Sequence, residues 1–302
     1  MPDRVTQLFT DAGCTGQLCV QTSDGAGEIS VAADSRVVAA SVIKVFVILE
    51  AERQFAAGDL DPLERVNLAA GARAPGAVGF SLYQDDVQTS LRDLAVATLT
   101  ISDNVANDAL LSRAGIGACN ATARCLGLTD TVIVSDLGTM IESLVASAGF
   151  ASWPEYVAWL PQATREQQTV VQAQVRTCDV LNPDLGTRTT PRDMCRLLRT
   201  IWSDHAGPPA VCRRLRELMG QQLTRNRLAA GFAPPIRVSA KSGSLIGMIR
   251  NEIGVIEYPD GSWYAAAVFT QTGTTSRGAA AIDAAIGHSA ASSIGLLRDP
   301  RS

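Results

Sequence analysis

The chain has 302 residues, 46% hydrophobic and 19% charged, with a net charge of -4, which supplies one large core or two smaller ones and argues against disorder. It has no Lys/Arg cluster long enough to track a phosphate backbone, so nucleic acid is excluded as an expected partner. Seven cysteines (14, 19, 119, 125, 178, 195 and 212) are an odd number, which argues against a disulfide framework and requires at least one to be free or paired between chains.

The opening residues, MPDRVTQLFTDAGC, lack the basic start, apolar run and small-residue cleavage site of an export signal. If this is the full native chain, the expected location is cytoplasmic. No stretch reads as a membrane span, because the apolar run IGHSAASSIGLL near the end is broken by His, Ser and Gly. Residues 18–33 predict two short strands around a Ser-Asp-Gly turn. Residues 41–60 predict a buried helix with Ser41 at its mouth and Gly58 as its stop. The stretch from Leu91 to Gly115 is helical in period but interrupted near Ser102, where Ser-Asp-Asn suits a junction between two helices. Residues 137–177 alternate between helical and loop-like patterns. Thr190 then caps a helix with Pro191 in its first position and Asp193 in its first turn.

From residue 236 the pattern changes to strands (IRVSAKSG, EIGVIEYPDG, SWYAAAVFTQT), with a hairpin turn at PDG. A closing helix begins at Ser276. The expected fold is therefore α/β: an antiparallel β-sheet flanked by helices, with a second, mostly helical lobe. Residues 1–40 and 224–302 would build the α/β lobe and 41–223 the helical lobe, with the active site at the junction.

Two histidines, His205 and His288, stand far apart with no partner at metal-ligand spacing, so neither a metal nor a cofactor is expected. Hydrolytic chemistry must find another base. In Ser41-Val-Ile-Lys44 the serine and lysine lie at i and i+3 on one helix face. A free lysine near pKa 10.4 is protonated, but burial or a neighbouring cation lowers that value. Val42, Ile43, Val45 and Phe46 supply the apolar setting, and Lys241 is available as the cation. The helix mouth also favours developing negative charge at Ser41. Two further motifs follow in order, Ser102-Asp103-Asn104 and Lys241-Ser242-Gly243, the latter at a strand end where glycine admits a ligand to the backbone. Each motif alone reads more readily as a chance pair, a helix cap or a strand end; it is their combination and order that point to covalent acyl chemistry.

S-x-x-K, S-D-N and K-S-G together resemble the signature of the penicillin-recognising serine enzymes, the class A β-lactamases and penicillin-binding proteins. The similarity is closest to class A and extends through SDNVANDALL, TTPRDMCRLL and KSGSLIGMIRNEIGVIEYPDG. It implies that Ser41 is the acylated nucleophile and Lys44 its base or proton relay. Ser102, assisted by Lys241, would pass a proton to the leaving group. Asn104 would contact the acyl-side amide and Lys44; the backbone N–H groups of Ser41 and Ser244 would form the oxyanion hole. Ser242, Gly243 and Arg250 match substrate-binding positions.

The sequence departs from the family where a deacylating glutamate stands in the pattern E-x-x-L-N. Here the text is CDVLN, with Cys178 in the glutamate's place, Asp179 beside it and Asn182 completing a possible deacylation region. The span from Ser102 to Lys241 is also longer than in the family, with the excess around 137–177. Asp136, Glu142, Glu155 and Glu166 are the substitute carboxylates in and beside it, each more readily read as an exposed charge than as a base. Leu245 replaces a usual glycine and is expected to narrow the site.

The leading expectation is a β-lactamase-like serine hydrolase acting on a β-lactam or related cyclic amide or ester. The alternatives are an intracellular acyltransferase, esterase or DD-peptidase-like enzyme forming the same acyl-enzyme, and a non-catalytic binding module. The expected partner is a small-molecule amide, lactam or ester, with neither nucleic acid nor membrane involved; the oligomeric state is open.

Overall fold

The computed structural model describes residues 2–246, 248–273 and 279–299. The elements run α1 (Pro2–Asp11), β1 (Cys14–Thr22), β2 (Glu28–Val31), β3 (Val37–Val38), α2 (Lys44–Ala57), β4 (Arg65–Leu68), β5 (Val87–Ser90), α3 (Leu91–Thr100), α4 (Asn104–Ala114) and α5 (Ile116–Cys125). They continue as α6 (Leu137–Ser147), α7 (Trp153–Trp159), α8 (Arg165–Arg176), β6 (Arg188–Thr189), α9 (Pro191–Trp202), α10 (Pro209–Gly220), β7 (Arg237–Leu245), β8 (Ile249–Glu257), β9 (Trp263–Thr272) and α11 (Ala279–Arg298). Ser276, where the sequence reading starts the last helix, lies outside the described residues.

The fold is α/β, with an antiparallel sheet ordered β2-β1-β9-β8-β7. Strands from both ends of the chain thus share one sheet. Successive side chains on a strand face opposite ways, and both faces here are covered. Cys19, Ala265, Ala267 and Phe269 join the large core that includes α2 and α9. Leu18, Val20, Ala266 and Val268 pack instead with Val5 and Phe9 of α1 and Ile282, Ile286 and Ile294 of α11. Burial on both faces explains why β9 reads as a continuous apolar run rather than an alternation. Helices α9 and α10, within the 41–223 span, also pack against this sheet.

Helix α11 is long and apolar enough, by length and composition, to cross a membrane, contrary to the expectation that no segment is. Half of its apolar window is buried inside the protein, and its apolar stripe is accounted for by the sheet it covers. All seven cysteines are free.

Three expected local signals take physical form. Gly58 closes α2 in the left-handed conformation at φ 82°. Thr190 caps α9, its side chain accepting from the Asp193 N–H. Asp103 caps α4, accepting from the Ala106 N–H at 2.9 Å. Helices α6 to α8 occupy the region of excess length. Leu137, Ile141, Leu144, Val145 and Val175 pack with Val38, Ala40, Leu245, Met248 and Ile249 in a third apolar cluster. The added segment therefore sits against the turn that carries Ser41 and the end of β7.

Candidate active site

Ser41 lies in a 3-10 turn, Ala40–Ile43, that runs directly into α2. Ala40 before it has φ 48°, and Ser102, at the α3–α4 junction, has φ 62°. Non-glycine residues in this region are uncommon and cluster where a fold holds functional groups in place. Ile246, at the end of β7, is a third, with φ 46°.

Helix α2 carries Lys44 fully buried beneath this turn. Its Nζ donates to Ser102 O at 2.6 Å and Asn104 Oδ1 at 2.8 Å, and lies 3.3 Å from Ser102 Oγ. Burial brings the Lys44 pKa down to about 7, partly opposed by the negative charges of Asp108 and Asp103. Lys241 on β7 is equally buried. Its Nζ donates to Ser102 Oγ at 2.8 Å and to Ser242 O at 2.7 Å. Burial, followed by the charge of Lys44, holds Lys241 well below the usual lysine range, while Glu252 acts in the opposite direction.

Strand β7 presses on the nucleophile's turn at Gly243. A Cβ there would stand 3.1 Å from the Ser41 backbone nitrogen and 3.2 Å from that of Val42, so any larger residue would push the strand and the turn apart by a few tenths of an ångström. Ser244, the next residue, is exposed. The SxxK turn, the SDN junction and the KSG strand thus meet in space.

The likeness to known proteins extends along the whole arrangement. Residues 2–293 match the model of the beta-lactamase enzyme family. The chain belongs to that family. It is 27% identical over 275 residues to the beta-lactamase regulatory protein BlaB of Streptomyces cacaoi, covering 87% of this chain and 86% of that protein. Its fold matches a mutant of PBP-A solved as an acyl-enzyme complex with penicillin G, with TM-score 0.74, 21% identity, and 97% of this chain and 96% of that one covered. It also matches a β-lactamase of Sphaerobacter thermophilus, with TM-score 0.75, 21% identity, and 98% and 95% covered. Family membership carries serine-hydrolase-type activity in general terms.

Within this β-lactamase-family chain, residues not singled out by sequence support the site. Asp103 Oδ2 accepts from the Phe80 N–H at 2.6 Å, tying the segment before β5 to the SDN junction. Asn104 donates from Nδ2 to Pro75 O at 2.7 Å, so part of its amide is committed to that segment. Arg250 is bidentate to Asp283, at 2.8 and 2.6 Å. The buried Arg227 donates to the same carboxylate, to the carbonyls of Gly243 and Asn251, and to Ser244 Oγ. Gln222 links the Ser242 N–H to Glu252. Asp283 had a sequence signal, a lone carboxylate inside AAAIDAAIG, since a charge on a buried helix face demands a partner. Arg227 had none.

A cavity of about 350 Å³ opens beside Asn104 and Ser244 and is bounded by Leu245, Ile246 and helices α6 to α8. Leu245 therefore does line the site region. Cys178, Asp179 and Asn182 do not line this cavity. The short turn Asp179–Leu181 buries Leu181 and turns Asp179 outward, Asn182 caps the Asp184 N–H, and Cys178 lies 3.7 Å from Ser143 O on α6. The substitute carboxylates are engaged or exposed elsewhere. Asp136 caps α6 through the Thr139 N–H, and Glu155 accepts from the Ala151 N–H. Glu166 is exposed in the first turn of α8, and Glu142 faces a separate polar cleft with Asp108 and Asp136. Among the described residues no carboxylate lines the cavity, and no group of three or more His, Cys, Asp or Glu is arranged to hold a metal.

Proposed function

We propose that this protein forms an acyl-enzyme on Ser41 with a β-lactam or a related cyclic amide or ester, and that water releases the acyl group slowly. The observation that carries this reading is the convergence of Lys44 and Lys241 on Ser102 Oγ, at 3.3 and 2.8 Å, beneath the Ser41 turn. A neutral Lys44 amine has two N–H groups, which match Ser102 O and Asn104 Oδ1, and a lone pair left to accept a hydroxyl proton. In the proposed reaction Lys44 takes the Ser41 proton as Oγ attacks the carbonyl carbon. The backbone N–H groups of Ser41 and Ser244 receive the oxyanion. Ser102 then delivers a proton to the departing nitrogen or oxygen and is recharged from Lys44, with the Lys241 cation stabilising the relay. Ser242 and Arg250 would meet the substrate carboxylate, Arg250 being oriented by Asp283.

Slow release follows from the cavity wall. Water attack on an ester needs a general base within hydrogen-bond reach, and the wall beside Asn104 and Ser244 carries no carboxylate among the described residues. The same observation favours a second reading, transfer of the acyl group to an amine or alcohol. It also suits the regulatory role that the Streptomyces cacaoi relative is named for, since a protein that stays acylated need not turn substrate over. The PBP-A relative, solved as an acyl-enzyme with penicillin G, makes penicillin G the first probe. Ser41 should acquire the penicilloyl mass and Ser41→Ala should not. Acceleration of release by an added amine or alcohol selects the transfer reading.

A further inference from the structure

We infer that the substrate acylating Ser41 carries a large apolar group on its acyl side, seated in the cavity between β7 and the added helices; this rests on the acyl-enzyme reading above. The cavity is lined by Asn104, which holds Lys44, and by Ser244, next to the Gly243 that touches the Ser41 turn, so it adjoins the carbonyl that Ser41 would attack. Its apolar wall includes Ile141, Leu144 and Val145 of α6, Ala148 at that helix's C-cap, and Trp153 and Tyr156 of α7. No charged side chain is among its described lining residues, and its polar side chains are few: Asn104, Ser244, the Tyr156 hydroxyl and the Trp153 indole N–H.

At about 350 Å³ the volume falls in the range of small-molecule sites, roughly 300–1,000 Å³. An ordered water needs about two to four polar partners, and the α6 part of the wall, Ile141, Leu144, Val145 and Ala148, offers no polar side chain, so an apolar group gains by entering. The wall is also fixed in place. Tyr156 packs against Phe150, Trp153 and Trp159 with ring centroids 5.4, 5.6 and 6.1 Å apart. Ile141, Leu144, Val145 and Ala148 belong to the apolar cluster that reaches Ala40, next to the nucleophile. The added helices thus act as a specificity wall, and the group they fit is a medium-length alkyl chain or an aromatic ring.

The test uses the whole protein and p-nitrophenyl esters from acetate to decanoate. In each reaction Ser41 Oγ bonds to the acyl carbon, p-nitrophenolate leaves and the serine proton passes to Lys44. The rate of adduct formation is read by intact mass and by p-nitrophenolate release. It should rise about two- to fourfold for each added methylene until the cavity fills. Ala148→Phe, which puts a ring on the cavity wall, should lower the octanoyl-to-acetyl ratio at least tenfold. Should that variant fail to fold, Tyr156→Ala, which widens the cavity, should move the optimum to longer chains. A ratio that stays flat with chain length while Ser41 is acylated would overturn the apolar-group inference and leave the acyl-enzyme reading standing. If neither the esters nor penicillin G acylate Ser41, both fall.

Discussion

Lys44 and Lys241 approach one hydroxyl from opposite elements, Lys44 from α2 at 3.3 Å and Lys241 from β7 at 2.8 Å, both fully buried and both touching Ser102 Oγ. Two ammonium groups sharing one buried acceptor repel each other, and their desolvation is costly. The arrangement therefore favours one neutral amine and one cation, which is what a base beside a proton relay requires.

The pH dependence follows from that. Lys44 acts as a base only when neutral, and its pKa is brought down to about 7 by burial. The acylation rate should rise with pH through a midpoint near 7, level off above it, and fall about tenfold per unit well below it. Asp108 raises the Lys44 value, so Asp108→Asn should move the midpoint down. Stopped-flow acylation across pH 5 to 9 measures both shifts.

Ser102 holds φ 62° while presenting its hydroxyl to both lysines. Ser102→Gly and Ser102→Ala both remove the hydroxyl and should slow acylation similarly, by about 10²–10⁴-fold. They differ in backbone strain. The glycine variant should be the more stable by about 1 kcal/mol, which urea denaturation of the pair will resolve.

Gly243 marks the closest approach of β7 to the nucleophile's turn. In Gly243→Ala the new Cβ meets the Ser41 and Val42 backbone nitrogens, which cannot rotate away as a side chain would. Acylation should drop by about tenfold or more, with the folded state retained by circular dichroism.

Asp283 is a buried carboxylate serving both Arg227 and Arg250. Asp283→Ala leaves two guanidinium groups without their counter-charge, one of them buried, and should destabilise the protein by about 3–5 kcal/mol. A lower urea midpoint with an unchanged slope is the expected result.

The acyl machinery was legible because its signals are local. Ser41 and Lys44 are three residues apart, and Thr190, Asp103 and Gly58 announce their helix ends through caps that sequence alone specifies. The supporting contacts were not legible, because they join distant positions: Arg227 to Asp283 across 56 residues, Asn104 to Pro75 across 29. The added segment was visible as excess length with helical character. That its apolar faces pack against Ala40 and Leu245 depends on tertiary docking, which no pattern within 137–177 encodes. The sequence text CDVLN placed Cys178, Asp179 and Asn182 under suspicion by position alone; the turn buries Leu181 and leaves Asp179 and Asn182 in solvent.

The central claim is an acyl-enzyme on Ser41 that water resolves slowly, and the most direct measurement is a time course of intact mass after mixing with penicillin G, with product followed in the same tube and Ser41→Ala alongside. The account predicts an adduct that accumulates on the wild-type protein, persists for many minutes and is absent from Ser41→Ala, with little product beyond the first equivalent. Rapid catalytic product formation without a persistent adduct, or an adduct retained by Ser41→Ala, would contradict it.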